Sequence, residues 1–318
     1  KVTKLQDVKK TMMSNGKNQH RTERLNVINM WAKLGIQERR DLFKVEKQFR
    51  ELLNECNASF KPAALSLDYD LHFQREVSYM IDAFDALPLR PDIAFDSIWR
   101  AFELEIKSHR ASPSNVNITE SLSHYAPKVD SDFIALLAAT IPTQACEHLF
   151  KTIVTNKLRG TFSRAESRIQ DLIKSNKNAE FFINHLRTRY VNDTDIERRK
   201  GAILIRRAMR GESLKLGALR LFTLDETSRS QILISLYLWT VRNDRYHGDS
   251  FSPFISSKTH INTYAGIFYS FMLTYYLLLW LWVSERPQVI PGGRSAIIDS
   301  INENITFIKA LFGSHWNK

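Results

Sequence analysis

Cysteine is nearly absent: the chain of 318 residues holds two, Cys56 and Cys146. No further Cys, and no His, is spaced from them as a zinc pair. A disulfide framework, a zinc site and a cofactor are therefore not expected, and a reducing cytoplasm is the default compartment. Turn formers are scarce too, with 11 Gly and 9 Pro, roughly half the share usual in soluble proteins. So few chain breakers exclude a many-stranded sandwich or barrel and favour long helices with few connections. There is no sustained alternation of apolar and polar residues, and no internal repeat. No basic-then-apolar leader opens the residues given, which begin at Lys1 rather than Met. The length suits about two domains, or one domain with insertions, and is ample for a core without staples.

Acidic residues fall short of basic ones, 34 against 45, for a net charge of +11. The shortfall is local. Residues 1–150 carry 20 basic and 20 acidic side chains, residues 151–245 carry 20 and 10, and residues 246–318 carry 5 and 4. The excess is densest at Arg187, Arg189, Arg198, Arg199, Lys200, Arg206, Arg207 and Arg210. Arginine dominates, and its planar fork suits phosphate better than a lysine ammonium does. These eight, with Arg245, are candidate contacts to an RNA backbone. A solvated helix face is the plainer alternative.

Apolar residues recur at helical spacing along most of the chain. Residues 40–54, 71–87, 94–109, 164–174, 178–190 and 295–312 read as amphipathic helices. Asp130 or Ser131 is placed to cap the apolar run 133–141, and Thr143 to cap the helix after it. From Ser228 to Val241 the chain is apolar on almost every side, so that helix is expected to be buried. The fold class is all-α.

Residues 259–284 contain no Lys, Arg, Asp or Glu, and about 20 apolar residues suffice to span a bilayer. Four tyrosines, with His260, Asn262, Thr263, Ser270 and Thr274, count against that reading. So does the weak positive bias of the flanks. A helix buried in a bundle or at a dimer interface is preferred.

Between these two apolar helices stands Arg242-Asn243-Asp244-Arg245-Tyr246-His247-Gly248-Asp249. Polar residues this dense at a junction of buried helices need partners or a task. In an unbroken helix Arg242 and His247 would stand about 140° apart. Gly248 and Pro253 predict that the helix stops at His247, letting the imidazole turn back towards the arginine. A helix C-terminus also favours an imidazolium. Together an arginine and a histidine can cleave RNA without metal: the His moves protons and the Arg holds the phosphate. A purely structural polar cap, with Arg242 paired to Asp244 or Asp249, is the alternative.

The run from Arg242 to Gly248 resembles the signature of the HEPN superfamily (higher eukaryote and prokaryote nucleotide-binding domains). That signature is an Arg, four to six residues and a His, at the end of one helix of an all-α bundle. The resemblance implies a metal-independent ribonuclease, with Arg242 and His247 catalytic and Asn243 or Asp244 as supporting polar residues. It further implies a homodimer whose two motifs share one cleft. Phage defence and toxin–antitoxin systems are the settings implied, with an antitoxin or regulatory partner. On this reading residues 1–64 are an N-terminal helical extension and 65–285 the HEPN-like bundle. A basic helical insertion occupies about 115–227, and 286–318 supply a C-terminal helix packing on the bundle. Glu103 and Glu105, on the second bundle helix, are weaker candidates for lining the cleft. Two features depart from the family: Asp249 stands where one antitoxin-paired subgroup has Tyr, and the basic insertion is long. A non-catalytic nucleic-acid-binding or scaffold protein using residues 187–210 is the competing function.

Overall fold

The computed structural model describes residues 19–33, 35, 38–39, 43–108, 125, 129–155, 164–192, 194–216, 220–247, 255 and 259–317. Gly248 and Asp249 of the motif lie outside them. Residues 19–29 are helical. Next come α1 (Lys44–Glu55), α2 (Leu71–Ala86), α3 (Pro91–Ser108), α4 (Ser131–Ala139) and α5 (Thr143–Phe150), the last running into a π-helical turn at Lys151–Thr155. Then follow α6 (Arg164–Ser175), α7 (Lys177–Arg189), α8 (Asp195–Met209) and a hairpin of β1 (Leu214–Leu216) and β2 (Arg220–Phe222). The chain continues with α9 (Glu226–Gln231), a π-helical stretch at Ile232–Leu238 and α10 (Trp239–Tyr246), joined as one rod. It closes with α11 (Ile261–Glu285) and α12 (Gly293–Phe312).

The protein is all-α apart from the hairpin, which the sequence pattern did not reveal. Its strands pair antiparallel with Leu214 opposite Phe222. Strands of three residues are too short to show a period, although Leu214 and Leu216 point inwards and Lys215 outwards. Helix starts follow local chemistry. Asp70 accepts from the Phe73 amide at 2.8 Å, and Asp225 accepts from the Ser228 amide at 2.7 Å. Asp130, rather than Ser131, caps α4. Such caps satisfy amides that the helix itself leaves open. Thr143 does not cap α5; Pro142 holds that position. The Thr143 hydroxyl instead donates to the Asn317 carbonyl at 2.9 Å and accepts from Arg206 at 2.7 Å.

One apolar core runs from Phe49 to Trp316. It draws on the N-terminal segment, the basic region and the C-terminal helix alike. α3 lies between α2 and α11, and α11 also packs on α5 and α12. From Ile261 to Val283 nearly every residue of α11 is buried. The helix is long and apolar enough to cross a membrane, yet its apolar window is wholly enclosed by the fold. Its tyrosines fasten it to its neighbours. Tyr269 donates to the Leu137 carbonyl at 3.1 Å, and Tyr275 accepts from the Ala63 amide at 2.8 Å. Tyr276 accepts from the Asn304 amide at 2.8 Å. Buried hydroxyls need such partners, which accounts for their place in an otherwise apolar run.

The basic helix α8 rests on α5, and Gly201 makes that approach close. A Cβ built there would stand 2.2 Å from two ring carbons of Phe150. That ring is fully buried, with Tyr190 at 5.4 Å. Alanine improves an ordinary helix position by about 1 kcal/mol over glycine. At this contact overpacking reverses the sign, and Gly201→Ala is expected to lose roughly 1–3 kcal/mol. Chemical denaturation of the two proteins checks this; an unchanged or raised midpoint would refute the tight contact.

His148 of α5 gives the fold an acid sensitivity. Its ring faces Tyr237 at 5.9 Å, and its enclosed Nε2 has no hydrogen-bond partner. Burial, then the charge of Lys151, holds this imidazole down to about 4. In the unfolded chain it titrates near 6.5. Between those values the unfolded state binds a proton that the folded state refuses. The contribution is therefore intact above pH 6.5 and is lost as pH falls towards 4. At about 1.4 kcal/mol per unit, the loss is of order 3 kcal/mol. Stability measured from pH 7 to 4.5 should fall less steeply in His148→Gln than in the wild type; equal slopes would refute the assignment.

Candidate active site

The rod from α9 to α10 enters the core as Ile232–Leu238 and leaves it through α10. Trp239 and Thr240 are the last buried residues. From Val241 to Arg245 the side chains are half-buried, and Tyr246 and His247 are exposed. The helix ends as the sequence predicts, with His247 at the C-cap and its amide donating to the Asn243 carbonyl at 3.0 Å. The imidazole thus stands at the rim, while Arg242 sits more than a turn below it.

Arg242 is positioned from several sides. Its guanidinium carbon lies 4.3 Å from the Tyr246 ring centre and 5.1 Å from that of Trp239. These two rings come from positions i+4 and i−3, so one face of the helix makes the slot. Nη1 donates to the Asn243 side-chain oxygen at 3.2 Å, and Nη2 stands 3.7 Å from Glu103 Oε2. Glu103 is in turn held by Trp99 Nε1 at 3.0 Å and Lys107 Nζ at 2.6 Å. Nε of Arg242 donates to nothing. That Nε is enclosed by the fold, so the N–H groups that Arg242 can offer are those of its η nitrogens, four in all, of which one goes to Asn243.

Arg245, one turn along, contrasts with it. Nε donates to Asp96 Oδ1 at 2.7 Å, and Nη2 meets Asp96 Oδ2 at 2.5 Å and the Asp92 carbonyl at 3.2 Å. Burial opposes its charge, but hydrogen bonding and the charges of Asp96 and Asp92 prevail and raise its pKa. Arg245 ties α10 to α3 through Nε and Nη2. Asn243 supports Arg242 directly, and Asp244 is half-buried beside it.

The remaining basic candidates divide by burial. Arg187 is 5% exposed, clasped by Glu166 at 2.6 and 3.1 Å and by the Ile153 carbonyl at 2.8 Å. Arg206 holds Thr143 and Asn317. Arg198 faces Asp195 at 3.1 Å, Arg199 faces Glu147 at 3.7 Å, and Arg207 meets Glu212 at 2.6 Å. Arg189, Arg199, Lys200, Arg207 and Arg210 are exposed along α7 and α8.

Two further arginines border the site. Arg100 of α3 is exposed, and its hydrogen bond to the Tyr246 hydroxyl raises its pKa. Arg168 of α6 stands over the opposite ring, 5.5 Å from the centre of Trp239. Neither has a sequence signal, since each arrives from a separate helix. Trp239 and Tyr246 had one in their spacing from Arg242. Glu103 reaches Arg242, whereas Glu105 turns to the far side of α3 and meets Arg286 at 3.2 Å. Two residues turn a helix by about 200°, so this divergence follows from their spacing.

The chain matches no protein-family model, no characterised protein and no solved structure. The fold is all-α, with Arg242 and His247 on the half-buried to exposed end of a buried helix.

Proposed function

We propose that the protein is a metal-independent endoribonuclease of the HEPN type, acting through Arg242 and His247. The observation that carries this reading is the contrast between Arg242 and Arg245. Arg245 is committed to Asp96 by a two-pronged ion pair through Nε and Nη2, whereas Arg242 is held between Trp239 and Tyr246 with Glu103 only at 3.7 Å, below an exposed His247. A positioned guanidinium with free donors suits a phosphodiester, and an imidazole at the rim suits proton transfer.

In the proposed reaction the ribose 2′-oxygen attacks phosphorus as its proton passes to a base. The bond from phosphorus to the 5′-oxygen breaks, and that oxygen takes up a proton. His247 serves one of these transfers, and its counterpart in a second copy of the chain serves the other. Arg242 stabilises the charge gathering on the non-bridging oxygens. The products are a 2′,3′-cyclic phosphate and a 5′-hydroxyl. Arg100 and the exposed side chains of α7 and α8 attract the RNA backbone. The protein is proposed to act in the cytoplasm as a homodimer, in phage defence or a toxin–antitoxin system, under an antitoxin or regulatory partner.

The test is cleavage of single-stranded RNA in the presence of EDTA, with end analysis of the fragments. Cyclic phosphate ends are expected. Complete loss of cleavage in chelator, or 3′-hydroxyl products, would overturn the mechanism. The exposed arginines of α7 and α8 also favour a second reading, a nucleic-acid-binding protein without catalysis. It predicts salt-dependent binding and intact RNA under every condition.

A further inference from the structure

On the side of α3 away from Arg242, a second polar cluster lies among apolar side chains. His72 and Glu76 stand one turn apart on α2, and Glu105 joins them from α3. One ligand atom from each lies within 4.8 Å of the other two. His72 Nε2 is 3.1 Å from Glu76 Oε1. Both carboxylates are fully buried, and His72 is 28% exposed with its Nε2 turned inwards and enclosed.

The hydrogen bonding is incomplete at the centre. Glu76 Oε2 accepts from Trp282 Nε1 at 2.8 Å, but Oε1 has no hydrogen-bond partner, and neither has His72 Nε2 facing it. Arg286, which ends α11, reaches Glu105 at 3.2 and 3.4 Å. It also approaches Glu76 at 3.6 Å and Asp70 at 3.7 Å. Buried Glu76 and Glu105 thus share a single guanidinium, an excess of one negative charge when both are ionised, while Asp70 is half exposed. Carboxylates at this depth are costly unless that excess is neutralised.

We propose that His72, Glu76 and Glu105 form a binding site for a divalent transition-metal ion, Zn²⁺ being the best match to the donors. One imidazole nitrogen and two carboxylate oxygens suit Zn²⁺, which binds such atoms at about 2.0–2.2 Å and takes four ligands. The fourth position would fall to a water or to the second oxygen of a carboxylate. A divalent ion offsets the unbalanced charge of Glu76 and Glu105 and gives Glu76 Oε1 a partner. It clamps α2 to α3 beside the end of α11. Its work is structural, since Glu103 and Arg242 lie on the other side of α3. Sequence spacing does not disclose the site, because Glu105 comes from a different helix than His72 and Glu76.

The test is calorimetric titration of the full chain, stripped with chelator and dialysed, using Zn²⁺ alone, with thermal melting in parallel. Saturable binding near one ion per chain is expected, with a rise in Tm. His72→Ala, at a partly exposed position where folding is retained, should weaken binding by roughly tenfold or more and remove the rise in Tm. Glu105→Gln should also weaken binding. Absence of saturable binding, which leaves the carboxylates sharing only a proton, would overturn the proposal. So would wild-type affinity in both variants. The readout is independent of RNA cleavage, so failure here leaves the nuclease reading standing, and the reverse also holds.

Discussion

His247→Ala is expected to lower RNA cleavage by roughly 10²–10⁴-fold, the range for removing a general acid or base. Arg242→Ala should lose at least about 10²-fold, the scale for removing a preorganised donor to a developing anion. Rates are to be compared in EDTA under single-turnover conditions, with melting curves confirming the fold. His247 is exposed at a helix end, so its truncation should leave Tm almost unchanged. Arg242→Lys separates positioning from charge: lysine keeps the charge but loses the planar contact with Tyr246 and Trp239. It should recover little of the rate. Full activity in both alanine variants would sink the assignment, and a nuclease elsewhere in the chain would then have to be sought.

The second large effect concerns the basic region, whose residues look alike in sequence but not in the fold. Arg187→Ala should cost about 3–5 kcal/mol, the usual penalty for leaving one charge of a buried pair behind. Glu166 would lose both of its bonds to the guanidinium. RNA affinity measured on the fraction still folded should barely change. Lys200→Ala on α8 and Arg210→Ala at its C-cap, both exposed, should do the opposite. Each is expected to leave stability within about 0.5 kcal/mol and to reduce the salt slope of RNA binding by roughly one. Denaturation and fluorescence anisotropy on the three variants decide it. A stable Arg187→Ala that binds RNA poorly would return that residue to the binding surface.

Much of the architecture was legible because helical periodicity is a local signal. The helix boundaries at α6, α7 and α12, and the stop at His247, follow from caps, spacing and the apolar stripe. Arg242, Asn243 and His247 stood out because they are close in sequence, whereas Trp239 and Tyr246, whose rings flank Arg242, did not stand out although their spacing of i−3 and i+4 puts them there. The site was not legible where distant helices meet. Arg100 and Arg168 carry no mark distinguishing them from other surface arginines. Counting charge in 151–245 could not separate Arg187, enclosed by Glu166, from Arg210, which faces water. Sequence gives the sum of charges, and packing decides which of them solvent or a ligand can meet. Thr143 failed as a cap for a similar reason: Arg206 and the Asn317 carbonyl, from elsewhere in the chain, use its hydroxyl.

The π-helical stretch at Ile232–Leu238 has an effect beyond its own turns. A π-turn closes over one more residue than an α-turn, so everything after it is rotated by about 100° from where an unbroken α-helix would put it. Arg242 begins only four positions beyond this stretch. Its azimuth, and with it the choice of Glu103 as its partner, is therefore indexed by a widened segment wholly inside the core. The buried half of the rod works as a phase setting for the half that emerges. A single-residue change of length there would aim the arginine at a different neighbour, with every side chain of the motif still present.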